Sequence, residues 1–344
     1  MANHRLKQTG KDARCLADPL GNKMTISRKH HYLPQFYLER FKNIPQKGKY
    51  PHVYRIEKSA TPKVTSITIK DTGCKRDYHT LDFANHDKDR QIVESALSKI
   101  ESDQAHLLNS ICDNVKISED QKLPLAELIT TMRFRVPAFK RYIESSLKGI
   151  VKNEFKILLH QGRLPRPPKE IEDLIQKQGY DFIEVNIANW KILEHMFQMA
   201  FQSENSTLLE KMRYQLISAP KGQHFITGDS PVALYHPDYD SIKPYGVGPA
   251  FKKIEVTFPI SNKLMIRLSW NGEEGVLRAK KEDLQEFNRR TIIMADSQIF
   301  SSEISSELIK NVALFHKVEA GYKLDNLWYG KGAVHIHRFI PVKK

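Results

Sequence analysis

"SEDQKLPLAELITTMRFRVPAFKRYIESSLKG", Ser118 to Gly149, is the stretch that sets the fold class. Ser118 is an N-cap residue, whose side-chain oxygen can accept one of the unpaired N–H groups at a helix start. Pro124 falls near the first turns, and "LAELITTMRFRV" carries the helix on. Pro137 lacks the N–H that a helical ladder needs, so it should kink that helix or divide it in two. Beyond it, "AFKRYIESSLKGIVKNEFKILLHQG" resumes the helical pattern and stops at Gly162, before the stiff basic linker "RLPRPPKE".

Working outward, residues 87–112 keep helical spacing through Ile92, Val93, Ala96, Leu97, Ile100, Leu107, Leu108 and Ile111. Further upstream, "KYPHVYRI" and "KVTSITI" alternate apolar and polar residues at period two around "EKSATP", a hairpin pattern. Downstream, "KEIEDLIQKQG" and "VNIANWKILEHMFQMAFQSEN" read as a short and a longer helix. From about Met212 the chain changes character. "RYQLISA", "QHFITG", "PVALYH", "FKKIEVTFPI" and "KLMIRLS" are short β-rich segments, and "WNGEEG" carries a turn signal. Two helices, "KKEDLQEFNRRTIIMADSQIF" and "SSELIKNVALFHKV", precede "GAVHIHRFIPV", a closing strand or a tail.

The expected class is therefore α+β. A basic arm over 1–28, either disordered or docked on a protein partner, leads to a motif helix and β-hairpin over 29–86. A helical region over 87–206 and a β-rich region with two helices over 207–344 follow. Residues 29–316 are expected to pack as one compact unit, because a hairpin alone is too small to stand free.

At 344 residues and 40% hydrophobic, the chain can bury a large core. No run approaches the roughly 18–20 apolar residues of a membrane helix. The N-terminus has no apolar core of a secretory signal, so a cytoplasmic protein with no membrane partner is expected. Cys15, Cys74 and Cys112 are scattered, which excludes a disulfide framework and a C-x-x-C zinc pattern. G-x-S-x-G, a phosphate-binding P-loop, G-x-G-x-x-G after a strand and H-E-x-x-H are all missing. Serine-hydrolase, nucleotide-kinase and zincin readings thus have no motif support.

Net charge is +14, and it is uneven. Residues 1–80 hold 17 Lys/Arg against 6 Asp/Glu, and residues 126–169 hold 10 against 3. Such surfaces attract phosphate backbones by counterion release. A solvated basic face with no anionic partner, or one facing an acidic protein, has the same composition.

"KHHYLPQFYLERF", Lys29 to Phe41, holds the densest imidazole pair. Pro34 suits the first helical position, where its missing N–H costs nothing. His30 and His31 would then lie just outside a helix mouth whose free N–H groups and dipole favour an anion. Gln35, Arg28 and Lys29 flank the same place. A phosphate or divalent-metal site follows, with a histidine kept neutral as base or ligand. Against this, Leu33, Tyr37 and Phe41, with Pro34 and Leu38, form one broad core face, and successive residues in an extended segment point opposite ways.

In "FITGDSPVAL", Asp229 stands at a strand end as a metal ligand, a histidine orienter, a cap for the Pro34 helix or an Asx turn. Arg135 stands at the Pro137 bend, to clamp phosphate or to pair with a buried carboxylate such as Glu101. Arg141, Lys148 and Lys152 share a helical face that could track a nucleic-acid backbone. Asp82, His86, Asp87 and Asp89 crowd "DFANHDKD", where a helix start wants capping carboxylates or a cation could bind.

The His-His-x-x-Pro opening resembles that of some ββα-metal nucleases, in which a later Asn and His return to the metal. Asn43, His52, His79 and His86 are available here, but the spacing and the helix directly after Pro34 depart from that pattern.

A wider likeness is carried by His30, Tyr32, Leu33, Pro34, Gln35 and Leu38, then Arg135 and Pro137. Thr227, Asp229, Pro231 and Val232, the strand Phe258–Ser261, and Asn288 extend it. Together they resemble an uncharacterised, mostly bacterial domain-of-unknown-function family that opens with His-x-Tyr-(Val/Leu)-Pro-Gln-x-x-Leu, over residues 29–316. The resemblance implies landmarks but no reaction, and a setting in bacterial defence or toxicity.

The leading expectation is a nucleic-acid-acting protein, a metal-assisted phosphodiester hydrolase using His30, His31, Gln35 and Asp229, with Arg28, Lys29, Arg135, Arg141, Lys148 and Lys152 on the nucleic acid. The rival is a non-enzymatic nucleic-acid- or protein-binding regulatory subunit in which the motif residues knit the fold together.

Overall fold

The computed structural model describes residues 16–17, 23–24, 28–43, 50–82, 92–180, 182–242, 246–329 and 332–344. Most of the expected N-terminal arm lies outside them, as do His86, Asp87 and Asp89. Strands β1 (Leu16–Ala17) and β2 (Lys23–Met24) pair with each other, and β3 (Lys29–His31) leads to helix α1 (Gln35–Leu38) and a 3-10 turn, Glu39–Phe41.

Helix α1 is a single turn, and Pro34 stands outside it with extended backbone (φ −58°, ψ 142°). The expected helix mouth is thus too short to build a dipole-driven anion site. The core reading of the same residues holds: Leu33, Tyr37, Leu38 and Phe41 are fully buried. Tyr37 stacks on Phe258 (centroids 5.4 Å apart) and donates its hydroxyl proton to the Pro259 carbonyl at 2.9 Å.

The hairpin is β4 (His52–Glu57) and β5 (Val64–Thr68), followed by β6 (Cys74–Arg76), which pairs antiparallel with β3. The helical region comprises α2 (Ile92–Asn114), α3 (Glu119–Phe134), α4 (Pro137–His160), α5 (Lys169–Gln178), α6 (Asn189–Phe201) and α7 (Ser203–Glu210). Ser118 and Gln121 form a capping box at the start of α3. Pro137 divides the run in two, becoming the first residue of α4. Leu125, Leu128, Ile129 and Met132 of α3 are wholly buried, each contributing roughly 1.5–3 kcal/mol of apolar burial. Helix α7 takes the helical region past residue 206, because Leu209 and Ser206 pack down into the core beneath a polar sequence.

Strands β7 (Arg213–Ser218), β8 (Thr227–Gly228) and β9 (Ala233–Tyr235), the single turn α8 (Tyr239–Ile242), then β10 (Glu255–Pro259), β11 (Leu264–Ser269) and β12 (Gly275–Arg278) follow. Helix α9 (Lys281–Met294), β13 (Gln298–Ser301), α10 (Ser306–Phe315), β14 (Gly321–Tyr329) and β15 (Gly332–Ile340) complete the chain. One sheet runs β12-β7-β11-β10-β9, and β14 and β15 form a ribbon.

The other large sheet, β5-β4-β13-β8, joins strands from both ends of the chain. Gly228 belongs there because a Cβ would come within 2.8 Å of Ala295 Cβ. The fold is α+β, and among the described residues no helix is long and apolar enough to cross a membrane.

Candidate functional site

The pairing of β3 with β6 sets His30 opposite Lys75 and turns alternate side chains inward and outward. His30 is 2% exposed, whereas Lys29 is exposed and His31 half-buried. After β6 the chain turns through Asp77, which adopts positive φ (53°), a conformation Asp tolerates better than most residues. That turn is held from several sides. The Arg28 carbonyl accepts from Asp77 N–H at 2.8 Å, Lys140 Nζ donates to Tyr78 O at 2.9 Å, and Asn189 donates to Thr80 O at 2.6 Å. Asp82 caps the start of α6 by accepting from the N–H groups of Asn189 and Trp190, so its capping role serves a helix far ahead in sequence.

The result is that His79 faces His30, their rings stacked with centroids 5.9 Å apart and 13° between planes. Backbone N–H of His79 donates to His30 Nδ1 at 2.9 Å, which leaves the proton of a neutral His30 on Nε2. His79 Nδ1 bonds Glu94 Oε1 from the first turn of α2, and that oxygen lies 4.0 Å from His30 Nδ1. The three residues offer donor atoms that all fall within 4.8 Å of one another.

Burial lowers the His79 pKa to about 4, against the pull of Glu94, so the ring is neutral at pH 7. Burial works to raise the Glu94 carboxyl, but the hydrogen bond from His79 and the nearby Arg135 charge hold it below its usual value. Neutral imidazoles and an ionised carboxylate are the forms that bind a cation. His79 Nε2 is buried without a hydrogen-bond partner, and Glu94 keeps 31% of its side chain exposed, the open edge of the cluster.

Arg135 closes the cluster from behind. It caps the end of α3, is 1% exposed, and donates to Glu101 Oε1 at 2.8 Å and to the His31 carbonyl at 2.7 Å. Its own carbonyl accepts from the Tyr78 hydroxyl at 3.0 Å. This corrects the reading of Arg135 as a nucleic-acid contact: it is sealed in an ion pair with Glu101.

The other expected residues divide. His31 turns away and meets the Lys70 carbonyl at 3.2 Å through Nε2, its pKa lowered by burial. Gln35 is exposed and makes no side-chain hydrogen bond among the described residues. Asp229 is closed on its own sheet. Its carboxylate accepts from the N–H groups of Asp296 (2.7 Å), Ser297 (2.9 Å) and Gln298 (3.1 Å) and from the Ser297 hydroxyl (2.7 Å). It therefore neither orients a histidine nor caps α1. Burial nonetheless raises its pKa to about 6.

Asn288 likewise clasps the strand approach, accepting from Ile226 N–H and donating to His224 O. Of the basic residues, Arg28 pairs with Asp77, Arg141 with Asp296 and Lys148 with Glu144; Lys29 is paired with Asp71 and Lys152 also has a partner.

Glu94 is the member that inspection of motifs passed over. Its signal lies on α2, where Glu94, Leu97, Glu101, Gln104, Leu108 and Ile111 recur at alternating spacings of three and four. Leu97, Gln104, Leu108 and Ile111 are buried, so two carboxylates share the buried stripe of an amphipathic helix. No curated protein and no solved structure matches the chain. The family model described as protein of unknown function (DUF4238) matches residues 29–305, and the chain belongs to that family.

Proposed function

We propose that the chain acts on nucleic acid as a divalent-metal-assisted phosphodiester hydrolase, with the cation held by His30, His79 and Glu94. The observation that carries this reading is the convergence of two imidazoles and a carboxylate, with donor atoms within 4.8 Å of one another, in a cluster where His79 Nε2 has no hydrogen-bond partner. Two histidines and a glutamate form a donor set suited to zinc and its neighbours. Binding would exchange the His79 N–H and His79–Glu94 hydrogen bonds for coordination, and Arg135 and Glu101 would keep the strand and helix in register meanwhile.

A cation there would supply Lewis acidity and lower the pKa of a bound water. In the hydrolysis itself the water oxygen bonds to phosphorus, the bond to the leaving sugar oxygen breaks, and that oxygen takes up the proton. The net charge of +14 favours a polyanionic substrate. The reading places the protein in the cytoplasm, where a defence or toxin role would meet nucleic acid.

Cleavage of DNA and RNA by chelator-treated protein, with Zn²⁺, Mn²⁺ or Mg²⁺ restored, is the test. Cleavage should require one of these ions and fall at least about 100-fold in His79→Ala and Glu94→Gln. Unchanged cleavage in both variants would overturn the assignment. One observation favours a second reading: the His79 N–H to His30 bond also serves as a clasp between β3 and the turn before α2. Retarded migration of nucleic acid with no cleavage under any ion would establish that binding role instead.

A further inference from the structure

A cleft of about 650 Å³ opens between the first half of α4, the start of β14 and the turn joining α9 to β13. It lies apart from the histidine cluster and is lined, among others, by Lys58, Arg133, Tyr142, Ser230, Asp296 and Tyr322. Its volume falls in the range of small-molecule sites, roughly 300–1,000 Å³.

The charged groups of the cleft are not equivalent. Arg141 is neutralised by Asp296, and Lys323 by Glu319 at 3.0 Å. Lys58 spends its three donors on the carbonyls of Ile293, Ala295 and Val318, at 2.7–3.2 Å. Arg133 differs. It has no carboxylate partner among the described residues, and its guanidinium lies against the rings of Phe134, Tyr322 and Phe339, 5.0–5.5 Å from their centroids. Its Nε is buried without an acceptor.

A guanidinium packed against aromatic rings without a carboxylate partner has N–H donors that a planar or tetrahedral anion can engage. Ser230 adds a second orphan: it is 3% exposed, its hydroxyl has no partner, and it follows Asp229 directly. The Asp229 clasp thereby sets the cleft floor, since it fixes both Ser230 and the Asp296 backbone. Tyr142 lines the same cleft with a half-buried ring, its hydroxyl tied to His337 Nδ1 at 2.5 Å.

We propose that this cleft binds a nucleotide-sized ligand, with its phosphate on Arg133 and Ser230 and its base against Tyr142. A cation without a carboxylate partner, an orphan hydroxyl and a ring fixed by its neighbours meet in one cavity of suitable volume. This inference does not rest on the metal-centre reading.

Calorimetric titration of the full chain with adenosine 5′-monophosphate, adenosine and inorganic phosphate tests it. The monophosphate should bind at sub-millimolar concentration and more tightly than either fragment. Arg133→Gln should weaken it at least tenfold. Ser145→Phe, which adds a ring to the cleft from an exposed position on α4, should abolish it in protein whose circular dichroism is unchanged. His79→Ala should leave it intact, so failure of the metal-centre reading and failure of this one are distinguishable. Absence of monophosphate binding at millimolar concentration, or its persistence in Ser145→Phe, overturns the proposal. Phosphate binding as tightly as the monophosphate overturns the role of Tyr142.

Discussion

The Asp229 clasp and the His30–His79–Glu94 cluster are both buried, both polar and both built on motif residues, yet they are finished differently. Asp229 accepts four hydrogen bonds from three consecutive residues, and the segment it holds is complete. The histidine cluster leaves His79 Nε2 unpaired, leaves Arg135 Nε unpaired behind it, and has an exposed edge at Glu94. Buried polar groups are ordinarily satisfied, and an orphan is expensive unless something else engages it. Satisfaction marks the first as a structural device; in the second, the unpaired His79 nitrogen is what the proposed cation would engage.

Mutation can break this comparison. Asp229→Ala would strand three backbone N–H groups and should have the largest effect on stability, about 3–5 kcal/mol, read as a fall in denaturation midpoint. It should also disturb the cleft floored by Ser230. Arg135→Met should cost about 2–4 kcal/mol by leaving Glu101 unpaired, and Arg135→Met with Glu101→Leu should recover most of that loss. His79→Ala should cost about 2–3 kcal/mol in metal-free protein while abolishing cation uptake, measured by equilibrium dialysis. If Asp229→Ala proves milder than His79→Ala, the contrast between the two clusters is wrong. At the small end, Arg28→Ala breaks an exposed pair with Asp77 and should change stability by less than about 1 kcal/mol.

The two clusters should also answer pH in opposite senses. Asp229 has a pKa near 6 against an ordinary 3.8, so between those values the folded chain keeps a proton that the unfolded chain has lost. Its contribution to stability therefore falls as pH rises through that window. His79 has a pKa near 4 against an ordinary 6.5, so there the unfolded chain binds more protons and stability rises with pH. Stability of metal-free Asp229→Asn and His79→Phe between pH 4 and 6.5 separates the two: the first should lose the falling component, the second the rising one. Equal slopes in both variants and the native chain would remove the basis for opposing environments.

Much of the architecture was legible locally. Capping by Ser118, division at Pro137 and the period-two hairpin follow from interactions within a few residues, and they appear as helices α3 and α4 and strands β4 and β5. The Arg135–Glu101 pair was legible too, because an arginine at a bend facing an amphipathic helix has few other partners. The one-turn length of α1 was not. It depends on Asn43 donating its N–H to the His52 carbonyl, which pulls the chain away from the helix into the β4 edge.

What the sequence determined by itself is the set of elements and the alternation that buries His30 and turns His31 outward, since both arise from backbone periodicity. What only the tertiary structure decided is the company those side chains keep. His79 and Glu94 reach His30 through a strand pairing, a turn at positive φ and a helix start, and Asp229 finds its donors in the turn leading into β13, nearly seventy positions onward. Partners at such separations are chosen by the packing of whole elements around one core, and no local propensity encodes that choice.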